Sequence, residues 1–204
     1  MWWLIPIGIG VVSFGLKLLN DVVSEDEIRA HSNWQAKRVE VEKSLGDHQA
    51  NIETHLARAQ NSYDFRFLTD LHYSSTQVAN AAYELLDDAN KSLSGINKML
   101  ASAKQQRGQL QQTLATARVN KDKALIHDTI EQLKMVNELR KSVFQDRDTL
   151  QQERDRLLAE LQKLNNRTRE LKDLIKNRCG NRGSDWYCRL EARKQQKRLA
   201  QGHS

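Results

Sequence analysis

From Trp2 to Val23 apolar positions run almost without a break, with Lys17 and Asp21 as the sole charged residues. A helix from Pro6, a residue suited to a first helical turn, to Val23 is about 27 Å long, close to a ~30 Å hydrocarbon core. Trp2 and Trp3 suit the interface, and Lys17 can extend its ammonium towards the headgroups. No Lys or Arg precedes the run and no A-x-A-like site follows it, so 1–23 is expected to be an uncleaved transmembrane signal-anchor. Gly8 and Gly15 share one face of that helix, where small residues let two membrane helices approach.

Beyond the anchor the pattern changes to amphipathic helix. Ser24 and Glu27 have capping-box spacing and predict a helix start just past the apolar run. This membrane-proximal segment, 24–61, has irregular apolar spacing (Ile28, Trp34, Val39, Val41, Leu45), and Gly46-Asp47 is expected to weaken or break it.

Over 62–178 the spacing becomes regular. Leu86, Leu93, Leu100 and Leu114 recur at multiples of seven, with Arg107 at the one intervening position, interleaved with Leu68, Ala82, Ala89, Ile96 and Ala103. After Val119-Asn120-Lys121-Asp122 a second register begins, and Leu150, Leu157, Leu164 and Leu171 form an unbroken ladder in it. Sustained heptads of this kind predict a coiled coil. Two registers of similar length around a turn near 119–122 predict an antiparallel hairpin, with Ala82 facing Leu157, Ala89 facing Leu150 and Ala103 facing Val136. Small residues then fill against large ones. The same register brings Arg147 and Arg154 towards Glu84, Asp87 and Asp88, acids that would offset the cost of arginine on a seam. The rival arrangement is one continuous helix pairing in parallel with a second copy.

The last segment, 179–204, reads as a cysteine-flanked loop and a basic tail. Cys179 and Cys188 enclose Gly180, Gly183 and Ser184, which look like a turn. A disulfide there would stabilise the loop by about 2–3 kcal/mol in the chain-entropy model. A short basic helix is expected from Cys188 to Gln201. Trp186, Tyr187, Arg189, Arg193, Lys194, Lys197 and Arg198 are the candidate partner-contact residues. The expected fold is therefore all-α: a membrane helix, a long coiled-coil hairpin and a short basic C-terminal helix.

Composition agrees with long helices. The 204 residues include one proline and 6% aromatics, and mean hydropathy is −0.72. The net charge of +6 is concentrated between Arg167 and Arg198, where eleven Lys or Arg stand against four acids. Such an end can meet anionic lipid, nucleic acid or an acidic protein. The leader implies the lipid bilayer as a partner, and a narrow seam implies a protein partner or a homo-oligomer. Sidedness is contested. Lys17 near the end of the anchor and Arg29, Lys37 and Arg38 beyond it, with no basic residue ahead, predict a cytoplasmic body, whereas a bonded cysteine pair suits an oxidising compartment. The balance tips slightly to the exported side of a single-pass membrane protein.

Catalytic signatures are absent from the sequence. The six histidines form no HxxxH or HExxH pair, and there is no GxxxxGK[ST], GxGxxG or GxSxG. An enzyme is not expected, nor a cofactor, a metal or a small-molecule substrate. The basic block follows the leucines and is interrupted by glycines, unlike the continuous basic helix ahead of a DNA-reading zipper. The leading expectation is a non-enzymatic scaffold or tether that holds a partner away from the bilayer. In layout the chain resembles the phage inner-membrane spanins, which join an N-terminal anchor to an exported coiled-coil stalk. That likeness implies an envelope-disrupting role and a bacterial or phage-encoded inner-membrane protein. A third expectation is a membrane tether for nucleic acid or a cytoskeletal partner through the basic tail.

Overall fold

The computed structural model describes residues 22–58 and 65–201, and four helices account for nearly all of these described residues. They are α1 (Glu25–Arg58), α2 (Phe65–Val119), α3 (Lys123–Arg178) and α4 (Gly180–Gln201), and the described residues include no strand. The packing divides into two units: residues up to Lys37 with Leu85–Arg156, and Arg38–Glu84 with the residues from Leu157 onward.

The expected membrane anchor lies outside the described residues except for Val22 and Val23, so Trp2, Trp3, Gly8, Gly15 and Lys17 are not placed. Among the described residues no helix is long and apolar enough to cross a membrane. Val23, expected as the last residue of the anchor, is buried against α2, where Gly95 leaves room for its side chain.

In the first unit the capping box forms as its spacing requires. The Ser24 amide donates to Glu27 Oε2 at 3.0 Å, and the Glu27 amide donates to Ser24 Oγ at 3.3 Å. Burial pushes the Glu27 carboxyl up, but the hydrogen bonds from Lys98, the Ser24 amide, Ser94 and the Ser24 hydroxyl outweigh it and hold the pKa at about 2. Lys98 Nζ lies 2.7 Å from Glu27 Oε1, and His31 Nδ1 lies 2.7 Å from Ser92 Oγ. Residue numbers rise along α1 as they fall along α2, so the two helices are antiparallel here.

The α2–α3 connection is the turn that the sequence places near 119–122. Lys121 has φ 55°, its amide donates to the Arg118 carbonyl, and the Asp122 amide donates to the Ala117 carbonyl. This is a Schellman ending with lysine in the left-handed position that glycine usually takes. Asp122 then caps α3 by accepting from the Leu125 amide at 3.1 Å. Below the turn the seam is filled by Ala89, Ile96, Leu100, Ala103, Val136, Val143 and Leu150, all buried. Leu93 and Leu114, expected on that seam, are only half-buried.

The arginine pairing differs from the expectation. Arg147 bonds Asp148 and Arg154 bonds Asp155, and Arg154 also reaches Asn90 Oδ1 at 3.3 Å. Each guanidinium leaves the seam by turning onto the next residue's carboxylate, which needs no acid from α2.

The second unit has all four helices. Leu45 and Ile52 of α1, Leu68, Leu71, Ala79 and Ala82 of α2, and Leu157, Leu161, Leu164, Leu171 and Ile175 of α3 form its core. Gln49 Nε2 donates to the Glu160 carbonyl at 2.8 Å, and Arg167 pairs with Glu53 at 3.0 Å, so α1 and α3 run parallel. The helix break expected at Gly46 does not occur; α1 is continuous through it. Leu45 and Ile52 are fully buried, and their docking outweighs one glycine's propensity cost. Because a Cβ at Gly46 would meet nothing within 4 Å, Gly46→Ala is expected to raise stability by about 0.5–1 kcal/mol in urea unfolding.

Candidate partner-contact face

The C-terminal segment is built differently from the expected loop. Gly180 has φ +60° and ends α3, and α4 begins on the same residue, so Gly180, Gly183 and Ser184 belong to a helix rather than a turn. Cys179 and Cys188 are both free. Cys188 lies eight helical steps, about 12 Å along the axis, beyond Gly180, the residue next to Cys179, which puts the two cysteines beyond the ~7 Å Cα limit for a disulfide. The expected bridge between them does not form. Burial pushes the Cys179 thiol up, away from the reactive thiolate.

Three contacts hold α4 within the second unit. The Trp186 ring meets the His72 ring edge-on, with centroids 5.0 Å apart and planes at 87°. Lys172 Nζ and Lys176 Nζ lie 5.1 and 4.4 Å from the centre of the Tyr187 ring. Glu191 Oε1 accepts from Lys172 Nζ at 3.2 Å and from Lys194 Nζ at 3.3 Å. Those two bonds hold the Glu191 carboxyl below its ordinary range.

The candidate contact residues thus separate into two groups. Trp186 and Tyr187 are engaged inside the unit, as are Lys172 and Glu191, and exposed Lys194 pairs with Glu191 on its own helix. Arg189, Arg193 and Arg198 are exposed, together with Arg182, and the Lys197 side chain lies outside the described set. Arg182, Arg189 and Arg193 are spaced seven and four apart, which places them on one helical face. Their planar guanidinium forks suit carboxylate or phosphate oxygens.

His72, on α2, is the residue against which α4 seats. Its burial, reinforced by Lys194 and Lys172, lowers its pKa to about 4. Lys172 also lies over the Tyr187 ring, as Lys176 does, and bonds Glu191. The neutral ring is favoured in the folded chain. The stability it contributes is complete above the unfolded value of about 6.5 and is lost as pH falls through about 4. Protection factors in 183–196, taken against the intrinsic exchange rate at each pH, are expected to fall between those limits, and His72→Phe, which keeps a ring without the titration, is expected to flatten that dependence.

Among the described residues no group of three or more His, Cys, Asp or Glu gathers to hold a metal ion. No protein-family model matches the chain, and no curated protein or solved structure shows significant similarity to it.

Proposed function

We propose that this chain is a non-enzymatic helical scaffold, attached to a membrane by its apolar leader, that holds a partner through the cationic face of α4. The observation that supports this most is the division of labour on α4. Trp186, Tyr187 and Glu191 fix the helix in place, while Arg182, Arg189 and Arg193 stand exposed on it. A helix immobilised on one side presents the other at little further entropic cost, which favours binding.

Carbonate-washed membranes from cells that express the full chain, compared with a version starting at Ser24, test the attachment. Retention of the first and release of the second is the expected result. A photo-crosslinking residue at Arg193 is expected to capture one partner, and capture is expected to fail in Arg182→Gln/Arg189→Gln/Arg193→Gln. Recovery of both versions in the washed supernatant would remove the membrane role. Leader-dependent cell lysis on expression would favour an envelope-disrupting factor instead.

A further inference from the structure

The first unit carries an open groove of about 770 Å³ along α2 and α3. Asn90, Leu93 and Asn97 line it from α2, and Arg147, Gln151 and Arg154 line it from α3. Lys98, whose ammonium also reaches Glu27, adds a third cation, and no acid lines it. The floor is apolar where half-buried Leu93 and exposed Ala101 lie, and the walls carry amides and guanidinium forks.

Helix register identifies the kind of object this groove fits. Leu93 lies three heptads after His72 on α2, and Gln151 lies three heptads before Lys172 on α3. Positions a whole number of heptads apart repeat the same place on a coiled-coil face. In the second unit those equivalent positions hold a helix: α4 seats Trp186 on His72 and bonds Glu191 to Lys172. In the first unit the corresponding positions line an open trough, so its shape is that of a seat for one helix. Between Asn90 and Ala101 it is about 16 Å long, or three helical turns.

Charge decides which helix. Arg147 and Arg154 now bond the adjacent Asp148 and Asp155, exposed pairs of little net worth. An incoming carboxylate can compete for the same forks, and bidentate arginine pairing rewards it. We propose that the groove around Leu93, Arg147 and Arg154 is a docking site for an acidic amphipathic helix of a partner protein, entering with its apolar stripe on Leu93 and Ala101. This site is separate from the cationic face of α4 and does not depend on how the leader is attached.

The test uses the full chain in mild detergent and a fluorescent, hydrocarbon-stapled peptide of about 15 residues, long enough to span three helical turns with a frayed end. Its leucines follow helical spacing and its flanks carry glutamates. Anisotropy at near-physiological salt (~0.15 M) limits long-range charge effects. Saturable binding is expected, weakened about tenfold or more by Arg147→Gln/Arg154→Gln and by Leu93→Gln, and changed less than about twofold by Arg189→Gln/Arg193→Gln. Circular dichroism melts confirm that each variant is folded. No saturation by the stapled peptide overturns the proposal. Equal binding of a scrambled peptide with the same charge does so too, because it shows attraction without a seat. Loss of binding only in Arg189→Gln/Arg193→Gln would move the site to α4. Anionic vesicles or an oligonucleotide that bind through Arg147 and Arg154 while the stapled peptide does not would make the groove a lipid or nucleic-acid site. Self-association through these residues in sedimentation, without peptide binding, would assign it to a second copy.

Discussion

Trp34→Ala is expected to destabilise the first unit by about 3–5 kcal/mol, the range for removing a buried aromatic side chain. Trp34 is 2% exposed and follows Ala30, also 2% exposed, by one turn of α1. The first unit contains only 25–37 of α1, so this indole is the largest apolar group with which that short segment can hold to α2 and α3. The polar contacts beside it, Glu27–Lys98 and His31–Ser92, exchange water for protein partners and contribute less each. Amide exchange in 25–37 should therefore rise towards the unprotected rate, while 125–150 keeps most of its protection. Val39→Ala is the control: that side chain is 65% exposed, and its loss is expected to stay within about 0.5 kcal/mol. Unchanged protection in 25–37 would mean that α1 is held by something other than its aromatic anchor.

Gly183→Ala is expected to unseat α4. A Cβ at this position would fall 2.1 Å from the Ile175 carbonyl oxygen and 2.9 Å from Cys179 Cβ. The first obstacle is backbone on fully buried Ile175, so it cannot swing aside as a flexible side-chain tip would. The two helix ends must separate instead, at a cost of about 1–3 kcal/mol for overpacking and more if the contacts of α4 are lost with it. Exchange should rise across 184–196, including the Trp186 and Glu191 turns, while the α2–α3 turn near Lys121 is unaffected. The opposite sign expected for Gly46→Ala separates glycine as a steric requirement from glycine as a tolerated weakness. If Gly183→Ala leaves the exchange of α4 unchanged, α4 is not held by the close approach at Ile175.

The hairpin was legible because its signal is periodic. Leu150, Leu157, Leu164 and Leu171 recur over successive heptads and all are buried, and Asp122 supplies a cap at the place where the register changes. What the periodicity concealed was α1 as a packing partner. Leu71, Leu85, Ser92 and Met99 are buried immediately before the counted series, and together they form a second stripe on α2. Its serine and its neighbour Gly95 do not register as apolar, though Ser92 bonds His31 and Gly95 admits Val23. The ragged pattern of α1 has the same origin, since its inward face mixes Glu27, Ala30, His31 and Trp34. The C-terminal helix starts eight residues before the expected Cys188 because Gly180, Gly183 and Ser184, despite their turn chemistry, are its first turn. Their helical state comes from tertiary contacts at Trp186, Tyr187 and Glu191, residues whose partners lie on other helices. For the same reason the sequence pointed to the outward arginines of α4 but not to the inward role of its aromatics. The groove was invisible, since Arg147 and Arg154 read as seam positions rather than as the wall of an opening.

The Lys121 ending has a kinetic corollary. It joins α2 to α3 by a very short connection, so the first interhelical contacts beside it close a small loop and lose little chain entropy. Each later contact down the hairpin then extends a zipper already begun, whereas α1 must find α2 from across the chain. Rapid assembly is expected at the turn end, with Ala117 and Thr129 protected before Trp34 in pulse-labelled refolding. Lengthening that connection with flexible residues should slow the earliest phase more than it lowers the equilibrium stability.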